Sequence, residues 1–356
     1  MAESLPESDE LASRLELAGS VARINDYFHQ QGWTDGLPVI PPTEDLVLEM
    51  LEASPLPAKG VLGVFPPLNG TATVEKVAIN SVMAGCTPDY FPVVLAAVKA
   101  VLQPQFNVGS ITTTTGGAAP VVIVSGSVAT ALGIHGGTAV FGSGHRANAT
   151  IGRALRLTMR NLGGATADTM EKSTQGWPGK YTMCFAENQE ANPWEPLHVD
   201  LGYPAGASTV TVVAARGIHT VAEDTQKTGE GVLETLVSSM KNAGISGYSY
   251  QSRGASPVIV LGPEHAREIA ADGYSRRDVR EYLFQNARMP FGEVKDRGHY
   301  GARSWPAEYE GQSDDFMLPL VMDPDKFILV VAGGDGRHSS WFPAWSATQV
   351  ATEVIG

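Results

Sequence analysis

Two widely separated stretches of the chain read almost alike. Gly117-Ala118-Ala119-Pro120-Val121-Val122-Ile123-Val124-Ser125-Gly126 is answered by Gly254-Ala255-Ser256-Pro257-Val258-Ile259-Val260-Leu261-Gly262. Each holds an unbroken apolar run closed by glycine, the pattern of a strand buried on both faces, as in sheets covered by helices. The flanks agree as well. Helices are predicted over 88–102 and 127–132 around the first copy, and over 230–242 and 264–271 around the second. Ser110-Ile111-Thr112-Thr113-Thr114-Thr115 leads into the one and Tyr248-Ser249-Tyr250-Gln251-Ser252 into the other. A third run, Phe327-Ile328-Leu329-Val330-Val331-Ala332-Gly333-Gly334, echoes only the last part. Repetition of a whole unit predicts an α/β fold of two related halves, an internal duplication, with the ligand crevice between them.

The first 57 residues stand apart from this pattern. Residues 1–9 are expected to be disordered, and the spacing of Leu17, Val21, Ile24 and Phe28 predicts a helix within 11–30, weakened by Gly19-Ser20. The prolines of Leu37-Pro38-Val39-Ile40-Pro41-Pro42 forbid helix, and Thr43 caps a second one through residue 51. The expected organisation is a helical, proline-rich arm over 1–57, a first α/β half over 58–205 and a second over 206–356. Such an arm packs on its own domain or reaches a neighbouring subunit.

A net charge of −13 argues against a nucleic-acid or anionic-membrane surface and leaves a small molecule as the expected partner. No stretch approaches a membrane span, and the acidic N-terminus lacks the apolar segment of a signal peptide. Two cysteines, Cys86 and Cys184, form neither a disulfide framework nor a zinc pair, so a reducing, cytoplasmic location is expected. The arm and the many apolar helices predict a homo-oligomer.

Cys86 stands in the word Gly85-Cys86-Thr87-Pro88-Asp89-Tyr90-Phe91-Pro92. Thr87 as N-cap, Pro88 at the first helical position and Asp89 in the first turn predict a helix start. A thiol just outside such a terminus meets free N–H groups and the positive dipole end, an arrangement that takes a cysteine pKa from about 8.5 to roughly 3.5–7.5. Packing is the competing role, because free cysteine is among the most buried residue types.

Three further constellations carry chemistry. Gly142-Ser143-Gly144-His145-Arg146-Ala147-Asn148, running into a helix over 151–161, reads as an anion cradle of backbone donors and one guanidinium. The same word fits the G-x-G-x-x-A form of the dinucleotide fingerprint, with Asp168 as the acid downstream. The stretch from Lys180 on its Pro-Gly turn through Cys184, Glu187 and Glu190 to His198 is the densest group of reactive side chains. The glycine-rich turn Gly333-Gly334-Asp335-Gly336-Arg337-His338-Ser339-Ser340 follows a buried strand, where open α/β sheets bind ligands. The histidines show no metal-ligand spacing.

At Gly32-Trp33-Thr34-Asp35-Gly36-Leu37-Pro38, Ala84-Gly85-Cys86-Thr87-Pro88, Arg146-Ala147-Asn148-Ala149-Thr150-Ile151-Gly152-Arg153-Ala154, and Pro178-Gly179-Lys180 through Glu187-Asn188, the chain resembles a widespread, largely uncharacterised group of bacterial proteins. These are associated with the proteins named for a UGSC selenocysteine or cysteine motif. The resemblance covers nearly the whole chain and implies thiol chemistry at the Ala-Gly-Cys word, although no Cys-Gly-Ser-Cys word is present.

These features predict a cysteine-dependent hydrolase or lyase acting on a small polar, anionic substrate. Cys86 is the expected nucleophile, with Glu187 and His198 moving protons. Arg146, Asn148 and Lys180 are expected to hold the substrate, together with Gly142, Gly144, Gly334, Arg337 and Ser340. Two alternatives stand beside it: an NAD(P)- or metal-dependent oxidoreductase, and a non-catalytic binding subunit of a larger assembly. No metal ligands are assigned, and the cofactor is left unknown.

Overall fold

The computed structural model describes residues 5–8, 11–164, 166–167, 169–242, 254–297, 308–309, 311–345 and 348–356; Asp168 and the stretch 248–252 lie outside the described residues. The arm supplies α1 (Val21–Gln30) and α2 (Glu44–Glu52). Gly19-Ser20 ends the earlier apolar pattern outright, because Ser20 is the N-cap of α1 and its hydroxyl accepts from the Arg23 N–H. The first turns of chain are not free either. Residues 5–8 lie along 59–61, where Ser8 donates its N–H to Lys59 and Val61 donates to Pro6.

A hairpin of β1 (Val61–Phe65) and β2 (Gly70–Thr73) leads to α3 (Val74–Ala84), α4 (Phe91–Leu102) and the short α5 (Val108–Thr112). There follow β3 (Ala119–Ser125), α6 (Ser127–Ala131), α7 (Arg146–Gly163), β4 (Cys184–Ala186), α8 (Leu197–Asp200), β5 (Thr209–Ala215) and β6 (His219–Ala222). The rest is α9 (Gly229–Asn242), β7 (Val258–Leu261), α10 (Pro263–Ala271), α11 (Arg276–Asn286), β8 (Arg288–Pro290), α12 (Phe291–Val294), β9 (Met317–Pro319), β10 (Ile328–Val331), β11 (His338–Phe342) and β12 (Ala351–Val354).

Two four-stranded sheets dominate this α/β fold, ordered β12-β5-β3-β4 and β6-β11-β7-β10. Their pairing follows one pattern. β4 is parallel to β3, β5 antiparallel to β3, and β12 antiparallel to β5. In the second sheet β10 is parallel to β7, β11 antiparallel to β7, and β6 antiparallel to β11. The alternation of side chains along each strand then sorts the core into three layers. Val121, Ile123, Phe185 and Val213 from one sheet meet Val258, Val260, Ile328, Val330 and Phe342 from the other. Val122, Val124 and Val212 face α3, α4 and α7, whereas Ile259, Leu261, Leu329 and Trp341 face α9, α10 and α11.

The strands are thus buried on both faces as predicted, but each has a helical layer on one side and the other sheet on its second. That arrangement removes the expected crevice, since the inner faces close on one another with dry apolar residues. It also cuts across the division at 205/206. β5 and β12 both belong to the second stretch of chain and complete the first sheet. Two crossovers lie side by side where β5 passes to β6 and β11 to β12. Arg216 donates its N–H to Pro343, Trp345 donates to Ala214, and Ala215 bridges Ala344.

At the carboxyl end of β4 a buried charge clasps these layers. Glu187, with no exposed side-chain area, accepts from Ser125 Oγ (2.6 Å), Asn192 Nδ2 (2.9 Å), the Leu197 N–H and Arg276 Nη2 (3.2 Å). Arg276 belongs to α11 and also donates to the carbonyls of Glu195 (2.8 Å) and Leu329 (2.6 Å), so it reaches into the second sheet. Beside it Arg280 grips Asp200 with both terminal nitrogens. Stripping one partner from a buried pair leaves an uncompensated charge, at a cost of about 3–5 kcal/mol. Arg276→Met is expected to lower the unfolding free energy by that amount in urea titrations. A loss within the roughly 0–1 kcal/mol of a surface pair would show that the clasp carries no such weight.

Candidate functional site

The outer face of α7 is where the distinctive words of the sequence meet. Ile151, Ala154, Leu155, Thr158 and Met159 turn one face of this helix into the core. Arg146, Arg153 and Arg160 recur every seven residues on the face left over, with Arg156 between them. The strap of the arm lies along it. Arg153 holds Asp35 through two bonds of 2.8 Å and also donates to the Pro38 carbonyl (2.9 Å), while Asn161 donates to the Trp33 carbonyl (3.1 Å). From the other side Arg156 Nε donates to the Lys180 carbonyl (2.9 Å) and the Thr182 hydroxyl to that of Ala149 (2.8 Å). Gly152 permits this approach, because a Cβ there would stand 2.5 Å from Thr182 Oγ1.

Charge is unevenly matched along the face. Asp35 is spent on Arg153, and Glu171 takes the Lys180 ammonium at 2.7 Å. Burial raises the Glu171 carboxyl, but Lys180 and Ser173 outweigh it and hold the group below its ordinary value. Burial lowers Lys180, against the pull of Glu171. Arg156 is left with one carbonyl and a long contact to the Met159 sulfur (3.9 Å), and no carboxylate lies within 4.0 Å of it among the described residues. Burial draws its guanidinium below the ordinary value, with Glu171 opposing. One turn on, Arg160 keeps a buried Nε with no acceptor.

Cys86 lies beneath the same face. Thr87 stands at the N-cap position, without a side-chain capping bond, of a 3-10 turn, Pro88–Tyr90, that runs into α4, so the predicted helix start is present. The predicted activation is not. The thiol is 7% exposed, and burial pushes it up to about 12 in spite of Thr150, Arg146 and Arg153 nearby. Desolvation of a thiolate therefore exceeds what the helix terminus and two guanidinium groups return. Cys184 is raised by burial too. Arg146 is engaged with the end of α3, where Gly85 takes a left-handed φ of +91°: its Nε and Nη2 both donate to the Gly85 carbonyl (3.1 and 2.9 Å).

The other expected site residues serve packing or hold backbone. Asn148 is buried and clamps His135, accepting from its N–H (2.8 Å) and donating to its carbonyl (2.9 Å). His198 is 1% exposed, with Nδ1 on Ser125 Oγ (2.8 Å) and Nε2 on the Ala205 carbonyl (3.2 Å). It and Glu187 belong to the clasp and meet no solvent-borne substrate. Gly142 and Gly144 form an exposed turn. Residues 138–141 before it make a turn rather than a strand, which removes the context of the dinucleotide word. Gly334 serves close packing, since a Cβ there would fall 2.2 Å from Thr138 Oγ1. The donors of its turn are already taken: Glu264 accepts from the N–H groups of Gly336 (3.0 Å) and Arg337 (2.7 Å). Arg337 itself pairs with Glu268, and Ser340 is buried in β11 opposite Thr220 and Val260.

Sequence reasoning thus passed over Arg153, Arg156, Arg160 and Asp35. A heptad spacing of arginines on one helix was their visible signal. Among the described residues no three His, Cys, Asp or Glu side chains gather as metal ligands, and no single helix is long and apolar enough to cross a membrane.

The state of the thiol is open to direct measurement. Iodoacetamide at about pH 8, near the ordinary thiol pKa, is expected to leave Cys86 and Cys184 unmodified in the native protein and to label both after unfolding. Rapid native labelling of Cys86 would contradict a protonated, enclosed thiol.

Compared with known proteins, the chain matches no family model and no curated sequence.

Proposed function

We propose that this protein binds a small anion, a molecule bearing a carboxylate or phosphate group, on the outer face of α7, with Arg156 and Arg160 receiving the charge. The observation that carries this reading is Arg156: a partly buried guanidinium with no carboxylate partner among the described residues. Withdrawing a charge from water without a counter-charge is costly, and a planar fork of N–H donors fits carboxylate and phosphate geometry. Four cations, Arg153, Arg156, Arg160 and Lys180, face two carboxylates, Asp35 and Glu171. On a chain of net charge −13 such a positive island focuses an anion where the rest of the surface repels it.

Recognition comes first in this reading, and Cys86 contributes a wall rather than a thiolate. A reaction on the bound anion would need a base, and among the described residues the carboxylates paired on this face, Asp35 and Glu171, are held in ion pairs. The shared pairing pattern of the two sheets supports an origin in duplicated halves.

Calorimetric titration with inorganic phosphate and with succinate tests the site. Saturable binding is expected, weakened about tenfold, or about 1.4 kcal/mol, by Arg156→Gln, and weakened further by added salt. Absence of binding by either probe, or equal affinity in the variant, would refute it.

A further inference from the structure

A cavity of about 550 Å³ opens on the other helical layer, between the edge strand β6 and α9. Its volume lies within the range of about 300–1,000 Å³ usual for small-ligand sites. Glu234, Ser238 and Asn242 project into it from one stripe of α9, and His219 and Thr220 from β6. Trp341, fully buried, lies below: it stacks on His219 with ring centroids 5.1 Å apart and an interplanar angle of 18°, and its Nε1 donates to Ser239 Oγ (3.1 Å).

The polar groups of this lining are exposed and leave their donors and acceptors to solvent or a ligand. Among the described residues the side chains of Thr220, Glu234, Ser238 and Asn242 and the ring nitrogens of His219 make no hydrogen bond to protein. Ser239 accepts from Trp341 and keeps its own hydroxyl hydrogen free. Thr235, half-buried one turn away, is engaged instead, bonded to Glu223 and Gly231. Burial and Arg216 lower the His219 imidazole, so near neutral pH one ring nitrogen donates and the other accepts.

We infer that this cavity binds a neutral polyhydroxylated molecule of the monosaccharide or cyclitol class. Each hydroxyl of such a ligand both donates and accepts, which matches three hydroxyls, an amide, a neutral imidazole and one carboxylate. The Glu234 carboxylate accepts from two neighbouring hydroxyls and repels the anions that suit the α7 face. The exposed face of His219, backed by the Trp341 indole, offers a flat surface for the C–H face of a sugar ring.

Ligand titration by NMR on the full chain, with glucose, galactose and myo-inositol as probes, tests the inference. At least one probe is expected to bind with a dissociation constant of about 1 mM or below and to move the His219 ring resonances. Glu234→Gln and Ser238→Val are each expected to weaken that binding about tenfold, leaving thermal unfolding and phosphate binding unchanged. No saturable shift with any of the three, or unchanged affinity in both variants, would overturn it. Because phosphate binding is read separately, failure here is distinguishable from failure of the α7 site.

Discussion

The Glu187 carboxylate is the point on which the layers of this protein depend. It sits where β4 ends and draws donors from three directions: the end of β3, the loop before α8, and α11 across the second sheet. A charge this far from water survives only with its lone pairs engaged, and here the donors come from separate elements of the fold. The clasp fixes how the two sheets meet at their parallel edges. Between the sheets the described residues pack apolar side chain against apolar side chain.

Charge is handled in the opposite way on α7. Glu187 is oversupplied with donors, whereas Arg156 and Arg160 hold donors without acceptors. Glu187 lies at the end of a strand and the arginines on a helix, and the difference lies in what the neighbouring segments provide. The strap brings a single carboxylate, Asp35, and Arg153 consumes it entirely. Lys180 and Glu171 cancel one another, leaving the guanidinium between them unmatched. The imbalance at this half-buried surface sets it apart from the closed network around Glu187.

Local features of this architecture were legible in the sequence, and long-range ones were not. The apolar runs that became β3, β7 and β10, the capped start leading into α4, and the proline-broken strap all follow from periodicity and from residues acting on their own backbone. Sheet-on-sheet packing was not visible, because a strand covered by helices on both faces and one covered by a helix and a second sheet present the same apolar run. The site divided in the same manner. Cys86 lies where its word placed it, at a helix start, yet its ionisation is set by the side chains that enclose it, and those come from α7 and β4. Asn148 looked like a ligand group because its partner, the backbone of His135, is folded against it by a loop with no periodicity to read.

The paired crossovers carry a consequence for how the chain is made. β12 joins the first sheet by lying against β5, and more than a hundred residues of chain are laid down between the two. As the chain leaves the ribosome, β3, β4 and β5 can associate early, but the outer edge of β5 stays unpaired until almost everything downstream has emerged. An exposed strand edge is a template for pairing with other chains. The nascent chain therefore carries one open strand edge from the emergence of β5 until β12 arrives to close it.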